Sequence, residues 1–259
     1  MLDLNLPMFQ DLPASVRTTL AEHAAMRPFN DGAVIYEQDE PGNGAYCVLS
    51  GAVRVDRVMP EGRLALFGFL APGTWFGILP LLDKLPTMHR GTAAGYTQTA
   101  WIPQRAFNHL IATDINVCHI SMEWVTQQHR TLMAVVDESV AIPLQTLLAR
   151  RLLMLARLFG EEQSNGSVRI KLRISQDDLA NMLGATRQRI NQILGEWQRE
   201  GNLLAEYRSI TLTNKPGMMR LARGTIRDPW WNEKYAALRG GSRLGKAAFP
   251  AAVLIQLSS

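Results

Sequence analysis

Cysteine is nearly absent from this chain of 259 residues: Cys47 and Cys118 are the whole supply. Two thiols cannot build a disulfide framework or a four-thiolate iron-sulfur cluster, so a reducing cytoplasm is the expected setting. Long apolar runs are missing as well. No stretch reaches the roughly 20 residues that a membrane helix needs, and the last apolar run is short and broken by Pro250. The chain start has neither the basic residues nor the apolar core of a signal peptide, which gives the expectation of an internal protein with no membrane partner. Histidines are few and stand singly at His23, His89, His109, His119 and His129. A metal-dependent active site needs several convergent ligands, so no catalytic residue and no metal ligand is assigned.

What is present is unevenly placed. Residues 1–148 hold 9 basic and 14 acidic side chains, whereas residues 149–227 hold 14 and 7. The second segment is therefore net positive by 7 and the first net negative by 5. That is the footprint expected when one part of a chain meets a polyanion and the other does not.

The basic segment contains the strongest local pattern, at residues 174–204. Ser175 and Asp178 have the spacing of a capping box, and Leu179, Met182 and Leu183 form an apolar face, which predicts a short helix ending at Gly184. Thr186 caps a second helix, in which Ile190, Ile193, Leu194 and Trp197 recur at i, i+3, i+4 and i+7 and must pack inward. The outward face carries Gln188, Asn191, Gln192 and Arg199, with Arg187 and Arg189 in the first turn. Arginine pairs bidentately with guanine, and glutamine or asparagine with adenine, so this face has the chemistry of base edges. A plain helical hairpin with a wetted polar face shares the apolar spacing. The caps, the Arg/Gln composition and two following short strands, 203–205 and 209–213 around Glu206-Tyr207-Arg208, favour a winged helix-turn-helix that reads DNA. Ser175, Gln176, Thr186, Arg187, Gln188, Arg189, Asn191 and Gln192 are the candidate contacts.

Upstream, residues 6–27 read as short helices. From Phe29 short β-rich runs alternate with turns at Asp31-Gly32, Gly42-Asn43-Gly44, Ser50-Gly51, Glu61-Gly62 and Pro72-Gly73, the texture of a small barrel or roll whose last strand covers 97–102. Pro103 then opens a continuous helical stretch. Within it Ile115, Cys118, Met122, Val125, His129, Leu132 and Val136 keep 3-4 spacing, a heptad seam that suits a two-helix dimer interface. His129 reads as a polar seam residue rather than a metal or haem ligand. A second stripe with Trp124, Met133 and Val135 predicts that one flank packs on the β domain. Pro143 marks the end of this helix, another amphipathic helix runs through Leu147, Leu152 and Phe159 to Gly160, and 161–167 reads as a polar loop. Beyond Gly224 the pattern loses coherence.

A glycine-punctuated β-roll, a long dimerising helix, a hinge and a winged helix-turn-helix, in that order, resemble the CRP/FNR family of bacterial regulators, the cyclic-AMP receptor protein and its anaerobic relatives. The resemblance covers about residues 8–223 and is most specific around Gly32, Gly42, Gly51 and Gly73 and in the run ISQDDLANMLGATRQRINQIL. It implies that Arg187, Gln188 and Gln192 stand where the family contacts bases; the family's common Glu and Arg are replaced by Gln188 and Gln192, which implies a different half-site. In the family's cyclic-nucleotide binders a Gly-Glu-Leu, followed about ten residues later by Arg-Ser or Arg-Thr, holds the ribose and phosphate. Here the text is Gly77-Ile78-Leu79, then Met88-His89-Arg90-Gly91-Thr92. The carboxylate is lost at Ile78, Arg90 lies about two positions late, and the purine-facing positions fall near the apolar Leu132 and Met133.

The expected fold is thus α+β: a β-roll sensor (1–114), a dimerisation helix and hinge (115–142), a winged helix-turn-helix (143–223) and a tail of unassigned role (224–259). The expected function is a homodimeric, sequence-specific DNA-binding regulator. Its partners are double-stranded DNA with a near-palindromic operator, a second copy of itself and, by resemblance, RNA polymerase. No cofactor is assigned; a small-molecule effector is expected at Gly77, Ile78, Leu79, His89, Arg90, Leu132 and Met133, and cyclic AMP fits it poorly. The competing readings are a cupin-like metal-dependent enzyme built on the roll and an interaction module that does not touch DNA.

Overall fold

The computed structural model describes residues 12–223 and Ala251–Ala252, with backbone alone described at residues 131, 134–141 and 251–252. The described residues form two compact units, 12–57 with 69–131 and the Ala251–Ala252 strand, and 58–68 with 132–223.

The first unit opens with α1 (Ala14–His23), which buries Val16 and Leu20, and continues into β1 (Ala25–Phe29). Residues 25–27, expected to be helical, are therefore strand. β1 pairs antiparallel with β8 (Thr97–Pro103) from Ala25↔Trp101 to Phe29↔Thr97 and is an edge, where Pro28 can face outward without losing a ladder bond. Between them in the chain come β2 (Val34–Tyr36), β3 (Gly44–Ser50), β4 (Val53–Val58), β5 (Leu64–Leu70, its first five residues counted with the second unit), β6 (Trp75–Phe76), α2 (Leu79–Asp83) and β7 (Arg90–Ala93). One sheet has the order β1-β8-β3-β6, and in the other β4, β7 and β2 are neighbours in that order. The glycine turns at Gly32, Gly51, Gly62 and Gly73 fall as the sequence predicts, whereas the bend near Gly42 comes earlier, at 38–40, and Gly44 opens β3. Gly51 joins β3 to β4 at φ 78°, and a Cβ there would run into the Tyr96 carbonyl oxygen.

Helix α3 (Gln104–Thr113) is separate from the long α4 (Ile115–Ala141), where the sequence suggests one run. Asp114 adopts φ −120°, ψ 106°, and its carboxylate accepts from the Asn116 N–H at 2.9 Å, ending one helix and starting the next. Val117 and Ile120 face the sensor core, Trp124 stacks on Trp75 with ring centroids 4.3 Å apart, and the Gln128 amide donates to the Trp75 carbonyl at 2.7 Å. Trp124 thus bears out the predicted packing flank, whereas Met133 is exposed and the Val135 side chain lies outside the description.

In the second unit α5 (Leu144–Phe159) begins after Pro143, as expected. Residues 161–167 are not a simple loop: β9 (Gly160–Glu162) and β10 (Val168–Ile170) form a hairpin, with Gly166 at φ 78°. After α6 (Gln176–Leu183) and α7 (Arg187–Arg199), β11 (Leu203–Glu206) and β12 (Ser209–Leu212) complete the sheet β11-β12-β10-β9. The last helix among the described residues, α8 (Lys215–Arg223), goes beyond the elements that the sequence predicts. It is fastened from within: Arg150 of α5, 1% exposed, donates from Nε to the Ala222 carbonyl at 2.9 Å.

Candidate functional site

The helix pair α6–α7 is built as its sequence spells it. Ser175 Oγ accepts from the Asp178 N–H at 3.0 Å, and the Asp178 carboxylate accepts from the Ser175 N–H at 2.8 Å, so two orphan donors at the start of α6 are satisfied reciprocally. Gly184 closes α6 in the left-handed region, at φ 59°. Thr186 caps α7 by accepting from the Arg189 N–H at 3.2 Å. On the inner face Ile190, Ile193, Leu194 and Trp197 are no more than 2% exposed. Each such burial stabilises by about 1.5–3 kcal/mol, against about 0–1 kcal/mol for an exposed ion pair, so the apolar stripe fixes the helix and leaves the outer side chains free to serve another purpose.

Those outer side chains hold one another. Arg187 lies 3.5 Å from the Asp177 carboxylate, Gln176 donates to the Asn191 side-chain oxygen at 3.1 Å, and Arg189 donates to Gln192 Oε1 at 2.8 Å. Gln192 in turn donates to Glu196 at 3.2 Å. All eight expected contacts therefore sit on or beside the start of α6 and the N-terminal half of α7. Asp177 and Glu196 are the members that sequence reasoning missed; the i,i+4 spacing of Glu196 from Gln192 was the signal available for one of them. The wing tip, Tyr207-Arg208, projects with Tyr207 almost fully exposed and Arg208 at φ 52°.

Along α4 the expected seam divides. Ile115 and Met122 are 64% and 60% exposed, His129 is exposed, Cys118 and Leu132 are half-buried, and Val125 packs partly against the sensor core. The Val136 side chain lies outside the description.

The expected effector residues are dispersed by environment. Ile78, 2% exposed, belongs to the sensor core with Leu81 and Ile102, while Leu79 beside it is exposed. Met133 is exposed. Arg90 opens β7 directly opposite Asp56 of β4. Its Nε and Nη2 each lie 3.0 Å from Asp56 Oδ1, and Arg54 Nε lies 2.8 Å from Oδ2. Asp56 is 1% exposed, so a buried carboxylate already occupies the cation that the resemblance assigns to a phosphate. Next to it Gly91 has no room for a side chain, because a Cβ would enter the Tyr36 ring. Burial, and then the charge of Asp56, push the Tyr36 phenol up, keeping it neutral. His89 is pulled down to about 4, first by burial and then by the Arg57 guanidinium, with Asp56 opposing. Arg57 Nε is itself buried with no hydrogen-bond partner among the described residues. Asp56, Arg54 and Arg57 were not singled out from sequence; the alternation Arg54-Val55-Asp56 put both charges on one strand face, but only the register brings Arg90 across from them.

Two family models match the chain. One describes a cyclic nucleotide-binding domain and matches residues 26–114; the other describes a Crp-like helix-turn-helix domain and matches residues 148–221. Together they take in more than half of the chain. A CRP-like cAMP-activated global transcriptional regulator of Mycobacterium tuberculosis is 24% identical over 83% of this chain and 96% of its own length. The HTH-type transcriptional regulator Cmr of the same species is 27% identical over 78% of each chain. Of solved structures, a CRP-family transcriptional regulator from Thermus thermophilus superposes with a TM-score of 0.66 at 23% identity, over 78% of this chain and 98% of that one. FixK2 from Bradyrhizobium japonicum gives 0.66 at 21% identity, over 78% and 99%. At these identities the structural likeness speaks to the fold.

Proposed function

Because the chain belongs to the CRP/FNR family of transcriptional regulators, with a cyclic nucleotide-binding domain and a helix-turn-helix DNA-binding domain, we propose that it acts as a homodimer reading a near-palindromic DNA site with α7. The observation that carries this reading is α7 itself: a fully buried apolar stripe behind Arg187, Gln188, Arg189, Asn191 and Gln192, all exposed at its N-terminal half. Two such helices in successive major grooves lie about 34 Å apart. The second copy joins along the exposed side of α4, at Ile115, Cys118, Met122, His129 and Leu132. The working divisions are a sensor (1–114), a dimer helix and hinge (115–142) and the DNA-binding part (143–223). The protein acts in the cytoplasm as a regulator rather than a catalyst, with RNA polymerase as its further partner.

Enrichment of random DNA by the purified protein at several salt concentrations tests the reading. A near-palindrome is expected. Arg187→Ala is expected to cost about 1–3 kcal/mol on it and to relax one base pair per half-site, whereas Arg173→Ala weakens all sequences alike. Enrichment of no sequence would sink the proposal.

The sensor is tuned away from cyclic AMP. Support comes from Ile78 in the core, the Asp56–Arg90 pair and the Tyr36 ring over Gly91. Calorimetry with cyclic AMP and cyclic GMP, run beside DNA binding, is expected to give weak heats and no change in affinity; micromolar binding coupled to tighter DNA binding would refute it.

A further inference from the structure

We propose that Arg189 is a second guanine-reading residue of the recognition helix beside Arg187, and that Gln192 and Glu196 are positioning residues that aim it. The inference rests on the DNA-binding reading above and assigns roles within it.

Gln192 stands where the family commonly has an arginine, and a glutamine there would be expected to read adenine. Reading adenine bidentately needs the amide to present its oxygen and its NH2 side by side to the base. In this structure the amide is spread between two neighbours instead. Its oxygen accepts from Arg189 Nη1 at 2.8 Å and its nitrogen donates to Glu196 Oε1 at 3.2 Å. The orientation follows from chemistry: a guanidinium only donates and a carboxylate only accepts, so the reverse amide would lose both bonds. Gln192 is therefore a relay. Glu196 fixes its NH2, and its oxygen holds the guanidinium of Arg189 over the outer face of α7.

Arg189 has five N–H donors and spends one of them on Gln192, which leaves the rest of the planar fork for the O6 and N7 acceptors of guanine. Its Cα is in the first turn of α7, the part of a recognition helix that enters the groove most deeply. The guanidinium missing at position 192 is thus supplied from one turn earlier.

The test is operator selection from random DNA with the wild-type protein and three variants, each altered at an exposed side chain on the outer face. Arg189→Ala is expected to abolish preference for one guanine per half-site, a loss of about tenfold or more in discrimination. Arg189→Lys keeps the charge without the fork; the guanine preference is expected to disappear and affinity for the selected operator to fall about tenfold, with the salt slope retained. Gln192→Ala is expected to weaken the same guanine preference several-fold and to create no change at an adenine. Any one of the following results overturns the inference. Arg189→Ala could lower affinity for all sequences alike and flatten the salt slope, marking a phosphate clamp. Arg189→Lys could retain the guanine preference. Gln192→Ala could erase an adenine preference that Arg189→Ala leaves intact, making Gln192 the direct reader. A wild-type protein that enriches no sequence removes the DNA-binding reading first; a clear palindrome with unchanged variants removes this inference alone.

Discussion

At neutral pH the imidazole of His89 is uncharged, because burial and the nearby Arg57 guanidinium outweigh the attraction of Asp56. In the unfolded chain it titrates near its ordinary value of 6.5. Between that value and about 4 the unfolded state binds a proton that the folded state refuses, so folding stability is intact above the first and declines as pH falls toward the second. The span corresponds to about 3 kcal/mol at most. Urea unfolding measured from pH 7 to pH 4 is expected to show that decline, and His89→Gln is expected to flatten it relative to the parent. A variant whose pH profile overlays the parent's would mean that other groups govern acid stability. Residue type alone did not reveal this environment. The sequence places His89 beside Arg90 and so suggests two cations for an anion; pairing of β4 with β7 sets Asp56 against one, and burial keeps the other neutral.

Elements were legible where local chemistry and tertiary packing agree. The capping box at Ser175, the left-handed Gly184 and the four-residue stripe of α7 each say the same thing, and the structure follows them. Ser175→Ala removes the hydroxyl that accepts from the Asp178 N–H, and is expected to cost about 1 kcal/mol in denaturant unfolding while leaving the selected operator sequence unchanged. A changed sequence preference would instead make Ser175 a base contact. Elements were missed where local pattern and environment part. β1 looks helical from its neighbours, and its strand state comes from pairing with β8 across some seventy residues of chain. β9 has only exposed residues and so carries no alternation to read. The interruption at Asp114 depends on one carboxylate within an otherwise helical composition. The candidate site divides in the same way: reading-helix residues follow from spacing within one element, whereas Asp56 reaches Arg90 only through sheet register.

For the whole molecule, the division of labour around α4 decides what a dimer can be made of. Val117, Ile120 and Trp124 are spent on the chain's own sensor, and Val125 is partly spent there, so among the described side chains of α4 Ile115, Met122 and Met133 are the exposed apolar ones. Met122→Asp places like charges across the seam without touching the sensor core, and is expected to yield a folded monomer by sedimentation and circular dichroism. An unchanged dimer would put the interface elsewhere. The grip of Arg150 on the Ala222 carbonyl bears on a different matter, the smallest fragment that can stand alone. A chain cut after Arg223 keeps that acceptor and the buried Met218 and Ala222. One cut after Thr213 takes that acceptor from a cation in the interior and opens a hole beside α5. Protease trimming of the intact protein is therefore expected to stop short of α8, so that the stable remnant includes a helix outside the reading pair.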